Sequence, residues 1–367
     1  MEEFYNLLSK LRKENGDDYV NEKYGKIILG LKDPEYCYLF AKDIKGADIK
    51  AHEAVVLESK NPEYCYLFAK DVKGANIKAH EAIVLESKNP EYCYLFAKYV
   101  KHYDEDISNL EKVVLESKNP KYCYLFARDV KHYNEDISNL EKVVLESKNV
   151  EYCCKFAQEI EGADIKAHEA VVLESKLPEY CYLFAKDVKD VDIKFLEKIV
   201  LESKDPKYCY LFARDVKGAD IKSHEAVVLE SKSPEYCYLF AKNVKEANIK
   251  SLEKIVLETK NPEYCCKFAQ EIEGADIKAH QFVILESKNP KYCCDFASNI
   301  KGLENEVIKA LEKIVLESKN PAYCCKFVFR VPQANVEEHA KIVYDSDNTA
   351  EKYRMDYFLG KPLGRFK

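Results

Sequence analysis

Cysteine and histidine are the residues of this chain best suited to metal binding or nucleophilic catalysis, and both recur at fixed spacing. The 367 residues include 15 cysteines and 8 histidines. Zinc sites typically use pairs such as Cys-x-x-Cys, whose thiolates converge on one ion. The sequence has no such pair; its doubled cysteines, for example Cys265 and Cys266, are adjacent, and adjacent residues of a helix point about 100° apart. We therefore predict that the cysteines pack in a core, with no metal and no cofactor.

Six histidines share one position of an internal repeat, and leucine takes that position in other repeats. The histidines are His52, His80, His168, His224, His280 and His339, and the leucines are Leu110, Leu140, Leu196, Leu252 and Leu311. A position that accepts either residue is expected to serve packing. An active site needs a unique constellation or a glycine-rich phosphate loop, whereas every candidate here recurs many times. The sequence therefore predicts no catalytic residues and argues against an enzyme.

Tyrosine and basic side chains form a third pattern, which is suited to binding. Counted from the start of each repeat, positions 3, 6, 10 and 13 share one stripe of a predicted helix. In seven repeats position 6 is Tyr, position 10 is Lys or Arg, and position 13 is Lys. We call this pattern the tyrosine–basic ladder and expect it on the outer face of the helix. Its predicted partner-binding residues are Tyr38, Lys42, Tyr66, Lys70, Lys73, Tyr94, Lys98, Lys101, Tyr124, Arg128, Lys131, Tyr182, Lys186, Tyr210 and Arg214.

Two irregularities add to the ladder. The repeats that start at residues 89 and 119 have a longer internal link, which contains His102, Tyr103, His132 and Tyr133. We predict that these four residues form a local recognition site, although a duplicated, tolerated loop insertion would leave the same pattern. The repeats that start at residues 149 and 261 break the ladder, because they carry Cys, Lys and Gln at positions 6, 7 and 10.

The ladder leaves three interpretations open. It could bind an acidic protein surface, or it could stack nucleotide bases on tyrosine and hold phosphates with lysine. The third interpretation is structural, with Tyr and Leu packed between neighbouring helices and charged residues keeping the surface soluble. The formal net charge of −7 disfavours nucleic acid, whose binding proteins normally carry a basic excess.

The elements that position these residues are helical hairpins. Variants of Asn-Pro-Glu-Tyr-Cys open eleven repeats, spaced 28 to 31 residues apart, at residues 33, 61, 89, 119, 149, 177, 205, 233, 261, 289 and 320. In the second repeat, Asn61 and Pro62 are typical of a helix start, Gly74 can end that helix, and Asn76 can cap the next one. Apolar residues recur at helical period in both segments, whereas Glu81 is expected in solvent.

This pattern predicts an all-α fold, a right-handed α-solenoid of about eleven stacked hairpins. Residues 1–32 are predicted to form an N-terminal capping hairpin, residues 33–319 ten repeats, and residues 320–367 a degenerate last repeat with a C-terminal cap. The sequence shows no apolar signal segment at its start and no run of 18 apolar residues. We therefore expect a cytoplasmic protein with reduced cysteines and no membrane partner.

The unit Asn-Pro-Glu-Tyr-Cys-Tyr-Leu-Phe-Ala-Lys-Asp-Val-Lys-Gly-Ala-Asn-Ile-Lys resembles short helical repeats of uncharacterised phage and giant-virus proteins. More loosely, residues 33–346 resemble tetratricopeptide and Sel1-like solenoids. The tetratricopeptide pattern, with its Trp and its longer period, is not met, so no peptide-binding residues carry over. The resemblance implies a recognition scaffold, and a viral origin would imply a host protein, such as a defence factor, as the partner.

Overall fold

A computed structural model describes residues 2–101, 106–131 and 136–360, with side chains from residue 9 onward. Within these ranges the regular structure is entirely α-helical. The helices are α1 Glu2–Asn15, α2 Asp17–Leu31, α3 Pro34–Asp43, α4 Ile49–Glu58, α5 Pro62–Asp71, α6 Ile77–Glu86, α7 Pro90–Tyr99, α8 Ser108–Glu116, α9 Pro120–Asp129, α10 Ser138–Glu146, α11 Val150–Glu159, α12 Ile165–Ser175, α13 Pro178–Asp187, α14 Ile193–Glu202, α15 Pro206–Asp215, α16 Ile221–Glu230, α17 Pro234–Asn243, α18 Ile249–Glu258, α19 Pro262–Glu271, α20 Ile277–Ser287, α21 Pro290–Asn299, α22 Asn305–Glu317, α23 Pro321–Arg330, α24 Val336–Asp345 and α25 Thr349–Phe358.

Each of the eleven repeats, numbered 1 to 11 from residue 33, is a hairpin of a first and a second helix. In repeat 2 the Asn61 side chain accepts the backbone N–H of Glu63 at 2.9 Å, and Asn76 accepts that of Ala79 at 3.3 Å. Between the two helices Gly74 has φ of 90°, a left-handed conformation in which a residue with a Cβ is strained. The predicted all-α array of helical hairpins is confirmed; its right-handedness stays a prediction.

The core of a repeat lies between its two helices and the preceding second helix. Cys65, Phe68 and Ala69 of α5 are buried, as is Val84 of α6. The Cys65 thiol lies 3.9 Å from the carbonyl oxygen of Val56 in the preceding second helix. Since each helix of about ten residues is too short to be stable alone, these contacts between repeats hold the fold together.

The chain comprises two compact units, residues 1–176 with 187–191, and residues 177–186 with 192–367. Within each unit, successive first helices pack more closely than successive second helices. No helix in the described part of the chain has both the length and the apolar character that a membrane crossing requires.

Candidate functional site

The position-6 tyrosines of the predicted ladder lie between first helices, so the expectation that they face solvent is wrong. Their exposed fractions are between 3% and 6% for Tyr38, Tyr66, Tyr94, Tyr124, Tyr182, Tyr210 and Tyr238. The reason is the close approach of successive first helices, which places the position-4 tyrosine of the next repeat against the rings of Tyr94, Tyr124, Tyr210 and Tyr238. The ring centroids of Tyr94 and Tyr122 are 6.5 Å apart, for example. These buried rings are not available for stacking on nucleotide bases.

The hydroxyls of these tyrosines join neighbouring repeats. Tyr94 donates to the Asp129 carboxylate at 2.5 Å, and Lys98 donates to both Tyr94 at 3.1 Å and Asp129 at 2.8 Å. We call this arrangement, formed by positions 6 and 10 with position 11 of the next repeat, the inter-repeat staple. It recurs in Tyr38–Lys42–Asp71, Tyr124–Arg128–Glu159 and Tyr238–Lys242–Glu271.

The staple neutralises much of the positive charge that the ladder was expected to offer. Burial pushes the pKa of Asp129 up, but hydrogen bonds from Arg128, Lys98 and Tyr94 outweigh it and hold this pKa below its ordinary value. Burial and the bond to Glu159 raise the pKa of Tyr124 to about 12. The pKa values of Asp71 and Glu271 are lowered in the same way, so these three carboxylates stay ionised near neutral pH beside their lysines.

The surroundings of the other ladder lysines differ from one repeat to the next. Lys70 lies over the rings of Tyr66 and Tyr99, at 5.6 and 5.3 Å from their centroids, because repeat 3 has Tyr99 where most repeats have an acid. Lys186 lies over Tyr182 at 5.7 Å, and Lys73 is exposed.

The remaining bases are held in ion pairs. Arg214 donates to Asp215 at 2.7 Å and to Tyr210 at 3.0 Å. Lys101 pairs with Glu81 at 2.8 Å, and Lys131 pairs with Glu111 at 2.8 Å. The predicted residues His102, Tyr103, His132 and Tyr133 lie outside the described residues.

Replacing Tyr94 with phenylalanine tests the staple. The ring still fills its site, but a hydrogen bond to a charged group is lost, so we expect the free energy of unfolding to fall by about 1.5–3 kcal/mol. Tyr66→Phe is the matched control, since Tyr66 faces Tyr99 instead of a carboxylate, and its expected loss is smaller. Urea unfolding followed by circular dichroism measures both; equal losses would contradict the staple.

Position 7, which the ladder omits, is an apolar position that the first helices leave only half-buried. Their solvent-facing stripe consists of positions 3, 7 and 10. Position 7 is a half-buried leucine in seven repeats, and we call these residues the leucine row. They are Leu39, Leu67, Leu95 and Leu125 in the N-terminal unit and Leu183, Leu211 and Leu239 in the C-terminal unit. Positions 3, 7 and 10 are also related by helical spacing, so this stripe could have been found from the sequence.

Charged rows flank the leucine row on both sides. Position 3 is acidic in most of these repeats, as at Glu63 and Glu91, and position 10 is basic, as at Lys70 and Lys98. The surface is therefore apolar along its middle, with opposite charges along its two edges.

The leucine row ends where the ladder breaks. Lys155 in repeat 5 and Lys267 in repeat 9 replace its leucines and pair with Glu151 and Glu263, each at 2.6 Å. Repeats 10 and 11 carry Asp295 and Lys326 at the same position, joined by an ion pair. These substitutions show that the fold accepts a charged side chain at position 7.

The second helices carry a polar pair between repeats that the sequence analysis missed. Glu53 accepts the backbone N–H of Asn76 at 2.5 Å and contacts His80 Nε2 at 3.1 Å. Equivalent contacts join His168, His224, His280 and His339 to Glu141, Glu197, Glu253 and Glu312. The expectation of a solvated carboxylate at this position is thus wrong, since Glu53, Glu197, Glu253 and Glu312 are buried and Glu81 pairs with Lys101.

The six histidines that the structure describes and the cysteines are buried. Burial lowers the pKa of His80, against the opposing effect of Glu53, so this imidazole is neutral near pH 7. All fifteen cysteines are buried free thiols, and burial raises the pKa of Cys65 to about 12, which leaves no reactive thiolate. The prediction that they pack in the core is confirmed. In the ranges that the structure describes, no group of His, Cys, Asp and Glu is arranged to hold a metal ion.

Comparisons with known proteins add a fold-level likeness. No protein-family model matches the chain, and no curated protein matches it. Among solved structures, the chain is similar to a "circular tandem repeat protein with novel repeat topology and enhanced subunit contact surfaces". The alignment covers 98% of this chain and 87% of that chain, with 10% identity and a TM-score of 0.15. A likeness at that level carries no argument about function.

Proposed function

We propose that this protein is a non-enzymatic scaffold that binds another protein through the leucine row and its charged edges. The observation that supports the proposal is the half-exposed leucine repeated on consecutive first helices of each unit. Partly exposed apolar side chains in a continuous row, bordered by polar residues, are typical of protein interaction sites. From the basic edge, Lys70, which lies over the rings of Tyr66 and Tyr99, would contact the partner.

The partner segment that fits this surface best is an amphipathic helix. The surface is made of helix faces, so it offers no strand edge to which an extended peptide could add. Packed helices are about 8–10 Å apart, and seven residues of a helix advance about 10.5 Å. A helix with an apolar residue every seventh position would therefore meet one leucine per repeat.

The source of the partner is a further part of the proposal. Since the repeat resembles those of phage and giant-virus proteins, we propose that the partner is a host protein, with a defence factor as the functional target. Fifteen free thiols suit the reducing cytosol, which we propose as the compartment. The alternative partner, RNA or another nucleic acid, is weakened by the burial of the position-6 rings and the pairing of most ladder bases.

A double substitution tests the leucine row. Leu67→Lys with Leu95→Lys places a lysine four residues after Glu63 and Glu91, as at Lys155 after Glu151. The partner would be isolated from the native host by affinity capture, identified by mass spectrometry and titrated against the purified variant. Because burying a leucine is worth about 1.5–3 kcal/mol, we expect affinity to fall at least about tenfold.

The matched control adds the same two charges elsewhere. Ala54→Lys with Ala82→Lys changes exposed positions of the second helices, copying Lys112, which pairs with Glu116 at 4.0 Å. We expect this control to bind as the unmodified protein does. Unchanged affinity in the leucine-row variant would refute the proposed surface, and a steep loss of binding with salt would favour nucleic acid.

A further inference from the structure

One junction of the N-terminal unit, between repeats 2 and 3, lacks the acid that completes the inter-repeat staple in neighbouring repeats. In repeats 1, 3 and 4 the position-10 base pairs with a carboxylate at 2.9, 2.8 and 2.7 Å; these bases are Lys42, Lys98 and Arg128. Lys70 is the base of repeat 2, and it makes no ion pair with any residue that the structure describes. Tyr99 stands at position 11 of repeat 3, where Asp71 and Asp129 stand in repeats 2 and 4.

Aromatic rings surround the Lys70 ammonium in place of an acid. Its Nζ atom lies 5.6 Å from the ring centroid of Tyr66 and 5.3 Å from that of Tyr99. Aromatic faces attract a cation, but they carry no charge that would neutralise it. Lys70 is exposed, and so is half of Tyr99, at 50%. The ammonium is therefore held in place by the fold and remains open to a carboxylate from another molecule.

This junction lies beside the two central leucines of the N-terminal part of the leucine row. Lys70 follows Leu67 by three residues, and Tyr99 follows Leu95 by four. Residues at these spacings are neighbours on one face of a helix. A helix that covers Leu67 and Leu95 would therefore pass next to the Lys70 ammonium.

We propose that Lys70 binds a carboxylate of the partner, which makes the partner segment an amphipathic helix with an Asp or Glu beside its apolar stripe. That carboxylate would act on Lys70 as Asp71 acts on Lys42, from which it accepts a hydrogen bond at 2.9 Å. The charges are complementary, and bonds between ionised groups are stronger than neutral ones. This inference rests on the proposed function, because it takes the leucine row as the binding surface.

The same contact would fix the register of the partner. The N-terminal row repeats one residue type at Leu39, Leu67, Leu95 and Leu125, so a partner with an apolar residue every seventh position could slide by one repeat at little cost. In coiled coils, a single polar residue in a uniform apolar seam specifies the register. Lys70 is the position-10 base of this unit that lacks an acid within the described residues, so it selects one register.

Synthetic helical peptides test the proposal on the full chain. Each has one leucine in every heptad and is long enough to meet all the leucines of the N-terminal row. One peptide carries glutamine beside a central leucine. Two others carry glutamate there, one on each side of the apolar face, because a peptide can lie on the row in either direction. Binding is measured by fluorescence anisotropy at low salt, where surface charges are least screened.

We expect the better glutamate peptide to bind the unmodified protein at least about tenfold more tightly than the glutamine peptide, because only glutamate offers Lys70 a charged acceptor. Lys70→Gln should abolish this preference. Tyr99→Asp should abolish it too, since it keeps Lys70 but supplies the acid that repeats 2 and 4 carry at this position. Circular dichroism checks that both variants are folded.

Lys42→Gln is the matched control, because it removes the same charge from a lysine that already pairs with Asp71. It should keep the preference for glutamate. A preference that Lys42→Gln abolishes, or that survives Lys70→Gln, would overturn the assignment to Lys70.

Two further outcomes separate this inference from the proposed function. Equal binding of the glutamate and glutamine peptides would overturn the acidic partner and leave the leucine row as the binding surface. If Leu67→Lys with Leu95→Lys binds the glutamine peptide as the unmodified protein does, the leucine row itself is refuted. Failure of every peptide to bind would overturn the inference, and the proposed function would then be decided by the captured partner.

Discussion

Replacing Phe184 with alanine is expected to lower the free energy of unfolding of the C-terminal unit by about 3–5 kcal/mol. The ring is fully buried, as is the phenylalanine at position 8 of every other repeat. Its loss leaves a cavity in the core of repeat 6, whose helices depend on buried contacts since neither is long enough to be stable alone. The effect is large because a short hairpin has few other buried side chains to compensate.

The same repeat contains the matched control. Phe195 on α14 is 59% exposed, so Phe195→Ala should change the free energy of unfolding by at most about 0.5 kcal/mol. Urea unfolding of both variants, followed by circular dichroism, measures the difference. Similar losses from the two substitutions would mean that repeat 6 is not packed as described.

Mild acid is expected to destabilise the fold through its buried histidines. Their Nδ1 atoms, in His52, His80, His168, His224, His280 and His339, are buried and have no hydrogen-bond partner among the described residues. Burial lowers the pKa of His224 despite the nearby Glu197 and Asp220, and it lowers that of His339 to about 4. Protonation would place a charge beside a phenylalanine ring, such as Phe212, 5.1 Å from the His224 ring.

The sign of the pH effect follows from these directions. Burial lowers the pKa of His52, His80, His224, His280 and His339. Above the ordinary histidine pKa of about 6.5, the folded and unfolded chains are both neutral at these five histidines. As pH falls below it, the unfolded chain binds protons that the folded chain excludes, so stability falls. Each excluded proton removes up to about 1.4 kcal/mol per pH unit. Carboxylates with a depressed pKa, such as Asp71 and Asp129, lose their pairing only at lower pH.

His224→Leu tests the contribution of one buried histidine, and another repeat already has leucine at this position. Repeat 8 has Leu252 at this position, and Glu225 still accepts the backbone N–H of Asn248 at 2.6 Å. Between about pH 7 and about pH 5.5, the variant should lose about 1 kcal/mol less of its unfolding free energy than the unmodified chain. If the free energies of unfolding of the variant and of the unmodified chain change equally with pH, His224 has the same pKa in the folded and the unfolded chain, which would contradict the prediction.

The hairpins were predictable because their signals are local. Asn61 and Asn76 cap the helices that the sequence assigned to them, and the burial of Phe68 and Cys65 follows from helical periodicity. These features depend on residues within one hairpin, and most repeats carry the same residues at the same positions.

The candidate surface was only partly predictable, because it depends on how neighbouring helices are rotated. Position 6 and position 7 are adjacent in sequence, and the pattern within one helix does not decide which of them faces the next repeat. Tyr94 was expected on the outer face and is buried, whereas Leu95, which lies half-buried at the surface, was not assigned to the binding face. The contact of Glu53 with His80 likewise joins two repeats, so no single repeat contains its signal.

Leucine methyl chemical shifts, measured by NMR with and without the captured partner, test the central claim most directly. The second helices provide an internal control, because half-buried leucines recur on both the first and the second helices of the same repeats. The first-helix leucines are Leu39, Leu67, Leu95 and Leu125, and the second-helix leucines are Leu57, Leu85, Leu115 and Leu145. We predict that the partner shifts the methyl signals of the first set and leaves those of the second set unchanged. Shifts confined to the second set, or to neither set, would contradict binding at the leucine row.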